Sequence, residues 1–242
     1  MKILIPTAKE LNTQVAQIEP ESLSEKTKLI IRALSQYSVA DLAQLYQIRP
    51  EKAKEEYQRI QKLQNETALT YPALYLFDGL MYRNIKRKNL TKEEEQYVQN
   101  HLLITSSLYG VIPALAPIAP HRLDFMTKLK VEKQSLKKLW TETYGQAVAD
   151  QEILLSLLSS EFEEVFPKEV RDKMIRFKFM EEKDGKRKIH STISKKARGQ
   201  FLTALIEEQI QNIEDIKKLS FAGFVFQENL STDQELVFIK QV

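Results

Sequence analysis

Residues 185–202 read GKRKIHSTISKKARGQFL, with six cationic side chains between Gly185 and Gly199 and no acidic one. Asp184 and Gly185 just before it suit a two-residue turn, so the runs 175–179 and 186–189 are predicted to pair as a hairpin. Ser191, Thr192 or Ser194 can then cap a helix that runs to about Asn212. The charge on that helix is inverted. A helix N-terminus carries about half a positive charge and favours acidic neighbours, yet Lys195, Lys196 and Arg198 open this one, and Glu207 and Glu208 come later. Such an end is destabilised until an anion neutralises it.

Projected at 100° per residue, Phe201, Leu202, Leu205, Ile206, Ile210 and Ile213 form the buried stripe. Lys195 and Arg198 fall within it, Gly199 lies at its edge, and only Lys196 lies clearly outside. A cation drawn toward the protein body needs a carboxylate or a phosphate-like group as partner. The other reading is a helix that overhangs the core by one turn and leaves both cations solvated.

Around this stretch the composition is ordinary. At 242 residues with 43% hydrophobic content, the chain can bury a substantial core. No apolar run approaches a membrane span and no signal-peptide pattern opens the chain, so a cytoplasmic protein without a membrane partner is expected. Zero cysteines exclude disulfides, thiolate metal sites and a thiol nucleophile. The net charge of +3 says little, but its distribution says more: residues 171–198 hold eleven Lys or Arg against four Asp or Glu, and residues 199–242 hold three against seven. The basic charge is local, as on a binding surface.

The fold class expected is α/β (mixed α+β), a single large domain over residues 1–242 with a mixed β-sheet flanked by helices. Residues 2–5, KILI, read as a short buried strand that leaves the core at Pro6, Thr7, Ala8 and Lys9. Ser24 opens an amphipathic helix to about Tyr37. In 38–66, two helices meet at the short connector QIRP, with Pro50 placed to begin the second. This is a helix-hairpin-helix-like insertion in which Gln47 and Arg49 occupy the usual glycine positions around Ile48, so Arg49 would reach a phosphate through its guanidinium. An ordinary helical corner is the alternative. Residues 73–79 read as a strand, Thr91 with Glu94 as a capping box, and 102–105 as a strand. The loop 106–125 is stiffened by Pro113, Pro117 and Pro120. Ser135 starts a helix with a Leu136, Leu139, Trp140 and Tyr144 face, and strands follow at 153–157, 224–226 and 236–239.

No metal or cofactor is expected. His101, His121 and His190 show no ligand spacing, and nucleotide-binding glycine loops and the GxSxG elbow are absent.

Several phrases together resemble the YaaA family of bacterial peroxide-stress proteins: MKILIPTAKELN, LYLFDGLMY, SSLYGVIPALAPIAPHRLDFMTKL, LLSSEF, GKRKIHSTISKKARG and FAGFVFQENLS, in this order over nearly the whole chain. The family's opening is usually ISPAKTL; Ala8, Lys9 and Leu11 agree with it, while Pro6, Thr7 and Glu10 depart. Ser156 stands where the family has asparagine. The resemblance implies a cytoplasmic protein that limits damage by hydrogen peroxide, is associated with lower free iron, and binds DNA through a basic cleft and a helix-hairpin-helix.

Two readings follow. As a DNA-binding protein of weak sequence preference, the chain would hold phosphates with Lys186, Arg187, Lys188, Lys195, Lys196 and Arg198, and anchor a second segment with Arg49, Lys52 and Lys54. As an enzyme acting on a small phosphorylated or nucleotide-like molecule, it would gather Lys9, Asp78, Ser107, Tyr109, Arg122, Lys128, Ser159, Glu161, Lys195 and Arg198 where strands end. In that reading Asp78 and Glu161 could also be ion-pair partners of Arg122 and Arg198.

Overall fold

A computed structural model gives the fold of residues 1–242. One mixed sheet of nine strands organises it: β1 Lys2–Pro6, β2 Leu102–Ser106, β3 Gly110–Pro113, β4 Leu154–Ser156, β5 Met174–Lys183, β6 Lys186–Lys188, β7 Ser220–Phe221, β8 Phe224–Phe226 and β9 Glu235–Gln241. The spatial order is β7-β8-β9-β5-β4-β1-β2-β3, with β6 folded back on β5. The five strands from β9 to β2 are mutually parallel, while β3, β6, β7 and β8 pair antiparallel.

Ten α-helices accompany the sheet: α1 Glu25–Ser35, α2 Val39–Tyr46, α3 Pro50–Gln64, α4 Ala73–Leu76, α5 Lys92–His101, α6 Leu136–Gln146, α7 Ser160–Glu163, α8 Lys168–Arg171, α9 Ser191–Glu207 and α10 Ile213–Lys218. The alternation of side chains along β1 sends Ile3 and Ile5 to one face and Leu4 to the other. The first face packs on Tyr97 and Val98 of α5 and on Phe201, Leu202, Leu205 and Ile206 of α9. The second packs on α1, α3 and α6 through residues such as Ile30, Ile60 and Trp140. All three β1 side chains are fully buried, each contributing about 1.5–3 kcal/mol of apolar transfer. A strand covered on both faces reads as an unbroken apolar run, as KILI does.

The Asp184–Gly185 hairpin forms, with both residues at positive φ (49° and 72°), but it pairs 186–188 with 181–183, Arg187 opposite Glu182, whereas residues 175–179, assigned to the hairpin from the sequence, pair with β4 and β9 instead. The Thr91–Glu94 capping box is complete at the start of α5. Between α2 and α3, Gln47 takes a left-handed conformation and Pro50 stands in the first turn of α3. Leu42, Ala53, Ile60 and Leu63 of this pair join the core beneath it.

Three segments differ from the sequence reading. Residues 73–79 are not a strand: Tyr71–Pro72 makes two residues of strand with Pro117–Ile118, and the chain then turns into α4. The amides of Ala73 and Leu74 bond to Ala116 and Ala114, so no ladder is left to extend. A short apolar run such as ALYLF carries no period to separate the two outcomes. Helix α9 stops at Glu207 rather than near Asn212, because Gln209 turns left-handed (φ 51°) and the Ile210 amide bonds back to Leu205; Ile213 begins α10 instead. None of the three hydroxyl residues caps α9, since His190 occupies the N-cap position and no side chain satisfies the first turn.

Candidate functional site

The parallel strands all point their carboxyl ends to one edge, and connections from β1 and β4 leave toward opposite sides of the sheet. Such a switch point leaves a crevice, and here it is a cavity of about 360 Å³. Pro6 to Glu10 follow β1, Ser159 to Phe162 follow β4, Arg122 to Asp124 end the proline-rich loop, and Thr192, Lys195 and Arg198 come from the first turns of α9. The three α9 residues are three apart and so share one helix face.

Close backbone approach fixes the first loop. The Tyr82 hydroxyl donates to the Pro6 carbonyl at 2.8 Å, and Asp78 N–H donates to Glu10 O at 2.8 Å. A Cβ on Gly79 would sit 2.8 Å from Ala8 Cβ, so only glycine lets the 79–82 turn lie against the loop. On the far side, a Cβ on Gly199 would lie 2.3 Å from the Met81 carbonyl oxygen, which places α9 directly on the same turn.

The charges divide into paired and unpaired groups. Lys9 pairs with Asp124 at 2.6 Å. Asp124 Oδ1 accepts from the amides of Met126 and Thr127 and from the Thr127 hydroxyl. Burial alone would raise the Asp124 carboxyl, but the Lys9 contact and the Thr127 donors hold it below the usual range. Glu10 turns outward to Arg83. Arg122, Lys195 and Arg198 make no ion pair and no side-chain hydrogen bond within the chain, although all three line the cavity; of the two cations assigned to the buried stripe only Arg198 is half-buried, while Lys195, one turn earlier, is exposed. Glu163 is the acid nearest in effect to Arg198, but it is already saturated: Ser156 Oγ donates to Oε1 at 2.5 Å and Arg176 Nε to Oε2 at 2.8 Å. Burial therefore lowers the Arg198 pKa, and Glu163 offsets this only in part.

Glu161 lines the same cavity from α7, beside the Lys9–Asp124 pair. Its Oε1 accepts the Phe125 amide at 3.0 Å, and it has no cationic partner. Burial, reinforced by Asp124, raises its pKa above the ordinary carboxylate range. The cavity thus joins three cations that lack an ion-pair partner to one carboxyl whose pKa is raised, with Glu56 acting on Arg122 from behind the lining.

The remaining candidates lie elsewhere. Asp78 pairs with Arg83 and Arg87, and not with Arg122. Ser107 is fully buried beside Trp140, whose Nε1–H donates to its carbonyl. The Tyr109 hydroxyl accepts the Ala119 amide. Lys128, Lys186, Lys188 and Lys196 are exposed outside the cavity, as are Arg49 just before α3 and Lys52 and Lys54 on it, where Lys52 pairs with Glu55. Arg187 pairs with Glu182 at 2.6 Å. The sequence reading missed Asp124 and Thr192. Asp124 was marked by the Asp-x-x-Thr spacing of a side-chain-closed turn, and Thr192 by its position three residues before Lys195.

Behind Arg122 lies His121, buried against Phe77 and Tyr109, with Nδ1 2.8 Å from the Ala119 carbonyl and Nε2 without a partner. Burial pushes its pKa down to about 4, against the pull of that hydrogen bond. Below pH 6.5 the unfolded chain takes up a proton that the folded chain refuses, so stability present at neutral pH declines as the pH falls toward the folded value. The difference amounts to about 2 kcal/mol between pH 7 and pH 5. Replacing His121 with Gln is expected to flatten the urea midpoint between these two pH values relative to the parent; identical pH dependence in both proteins would refute this role.

The chain matches the family described as peroxide stress protein YaaA over residues 1–230. It is similar to a UPF0246 protein of Streptococcus gordonii, 93% identical over all of this chain and 99% of the relative. It is also similar to UPF0246 proteins of Streptococcus pneumoniae, 57% identical over the full length of both. No helix is long and apolar enough to cross a membrane.

Proposed function

Because the chain belongs to the peroxide stress protein YaaA family, we propose that it serves the oxidative stress response by binding DNA through backbone phosphates in the cytoplasm, limiting iron-dependent damage to the strand it covers. The observation that carries this reading is the set of three unpaired cations, Arg122, Lys195 and Arg198, on one concave surface. A strip of Lys186, Arg187, Lys188 and Lys196 adjoins it along the chain, and Arg49, Lys52 and Lys54 offer a second anchor. Contacts of this kind hold the sugar–phosphate chain and read little sequence.

Six neutralised phosphates correspond to a slope of log K against log salt of about −5. Fluorescence anisotropy of a labelled duplex at several ionic strengths measures it. A slope near that value, similar for unrelated sequences, supports the reading, whereas a slope near zero contradicts it.

A second reading, an enzyme acting on a small phosphorylated molecule, draws support from the concave shape of the cavity and from Glu161, a carboxyl whose pKa burial raises. Turnover of a phosphorylated compound that stops in Glu161→Gln would favour it.

A further inference from the structure

The cavity differs in kind from the exposed lysines around it. Its volume of about 360 Å³ falls near the lower end of the range for small-ligand pockets. A duplex is too wide to enter such a space and reaches only the cations at its mouth, where Lys195 is exposed. What fits is a group attached to the rest of its molecule on one side only.

The charge narrows the choice. An internal phosphodiester brings one negative charge, whereas a phosphomonoester brings about 1.5 to 2 at pH 7 and three strong acceptor oxygens. Arg122, Lys195 and Arg198 line the cavity without an ion pair, with Glu56 acting on Arg122 and the already saturated Glu163 on Arg198 from outside the lining, and the Ser159 and Thr192 side chains line the same space. Lys195 is exposed, but Arg122 and Arg198 are half-buried, and a single charge would leave part of this set uncompensated where water is scarce, which is costly. Glu161 is the one acid inside without an ion pair, and its Oε1 is already taken by the Phe125 amide. Glu10 and Asp124, the other acids of the lining, are held by Arg83 and Lys9.

We infer that the cavity formed by Arg122, Lys195, Arg198 and Ser159 binds a phosphomonoester, and that in the setting of the DNA-binding reading, on which this rests, the group is the terminal phosphate of a broken strand. The exposed basic strip then lies along the duplex while the cavity takes its end.

The test uses the full-length protein and one labelled duplex prepared with 5′-phosphate, 3′-phosphate or hydroxyl termini. At least one phosphate end is expected to bind ten-fold or more tighter than the hydroxyl end. Adenosine monophosphate or inorganic phosphate is expected to remove that advantage, and Arg198→Gln or Lys195→Gln to abolish the difference between ends. Circular dichroism melts of both variants confirm that they are folded. Equal affinity for all three ends would overturn the end assignment while leaving duplex binding in place. Tight binding of adenosine monophosphate with no binding of any duplex would overturn both, and would assign the cavity to free nucleotides.

Discussion

Replacing Gly199 with alanine is expected to destabilise the protein by about 2 kcal/mol, the opposite of what a helical Gly→Ala change normally does. In an open helix position alanine would gain about 1 kcal/mol over glycine. Here the added methyl would stand 2.3 Å from the Met81 carbonyl oxygen and 2.8 Å from Asn84 Cβ. A backbone oxygen cannot swing aside as a long side chain can, and overpacking of a tight contact costs about 1–3 kcal/mol or more. Relief by sliding α9 is opposed by Thr203, whose hydroxyl donates to Asn84 O and accepts the Lys86 amide. It is opposed too by Phe201, which sits among Phe177, Phe179, Phe221 and Phe238. Urea unfolding of the parent and the variant measures the difference, and Gly199→Val, bulkier and with a smaller propensity gain, is expected to lose more. A midpoint that is unchanged or raised in Gly199→Ala would mean that α9 does not rest on the 81–84 turn. The cavity would then lose the wall that carries Lys195 and Arg198.

Reversing both cations, Lys195→Glu with Arg198→Glu, is expected to weaken duplex binding 100-fold or more. Charge-assisted hydrogen bonds to phosphate contribute about 1.5–3 kcal/mol each, and the new carboxylates add repulsion beside Glu161 and Glu163. Since Arg198 is half-buried, the milder pair Lys195→Gln with Arg198→Gln separates loss of binding from loss of fold: it removes the attraction without placing new acid beside Glu163. Anisotropy at fixed ionic strength reads the effect. Undiminished affinity in a folded double Gln variant would remove the cavity from the binding surface.

Much of this was legible in the residues, in proportion to how local the physics is. The Asp184–Gly185 turn, the Thr91–Glu94 cap and the doubly buried KILI strand each depend on neighbours within a few positions, and each forms. The inversion of charge at the start of α9 was also visible, because it is a statement about one helix. Which acids the cations meet was not, because that is settled across the fold. Asp78 is drawn off by Arg83 and Arg87, Glu163 by Ser156 and Arg176, and Asp124 by Lys9. The buried placement of Ser107 and the helical turn at Ala73–Leu76 were hidden for the same reason: both follow from contacts with segments that are distant in sequence.

If Arg122 and Arg198 are held open for a phosphate, their side-chain Nε–H resonances report its arrival directly. On titration of a ¹⁵N-labelled protein with a 5′-phosphorylated oligonucleotide, the Arg122 and Arg198 signals are expected to move together and saturate, while that of Arg176, already bonded to Glu163, stays in place. Shifts confined to the exposed Arg187, with Arg122 and Arg198 unmoved, would contradict the account.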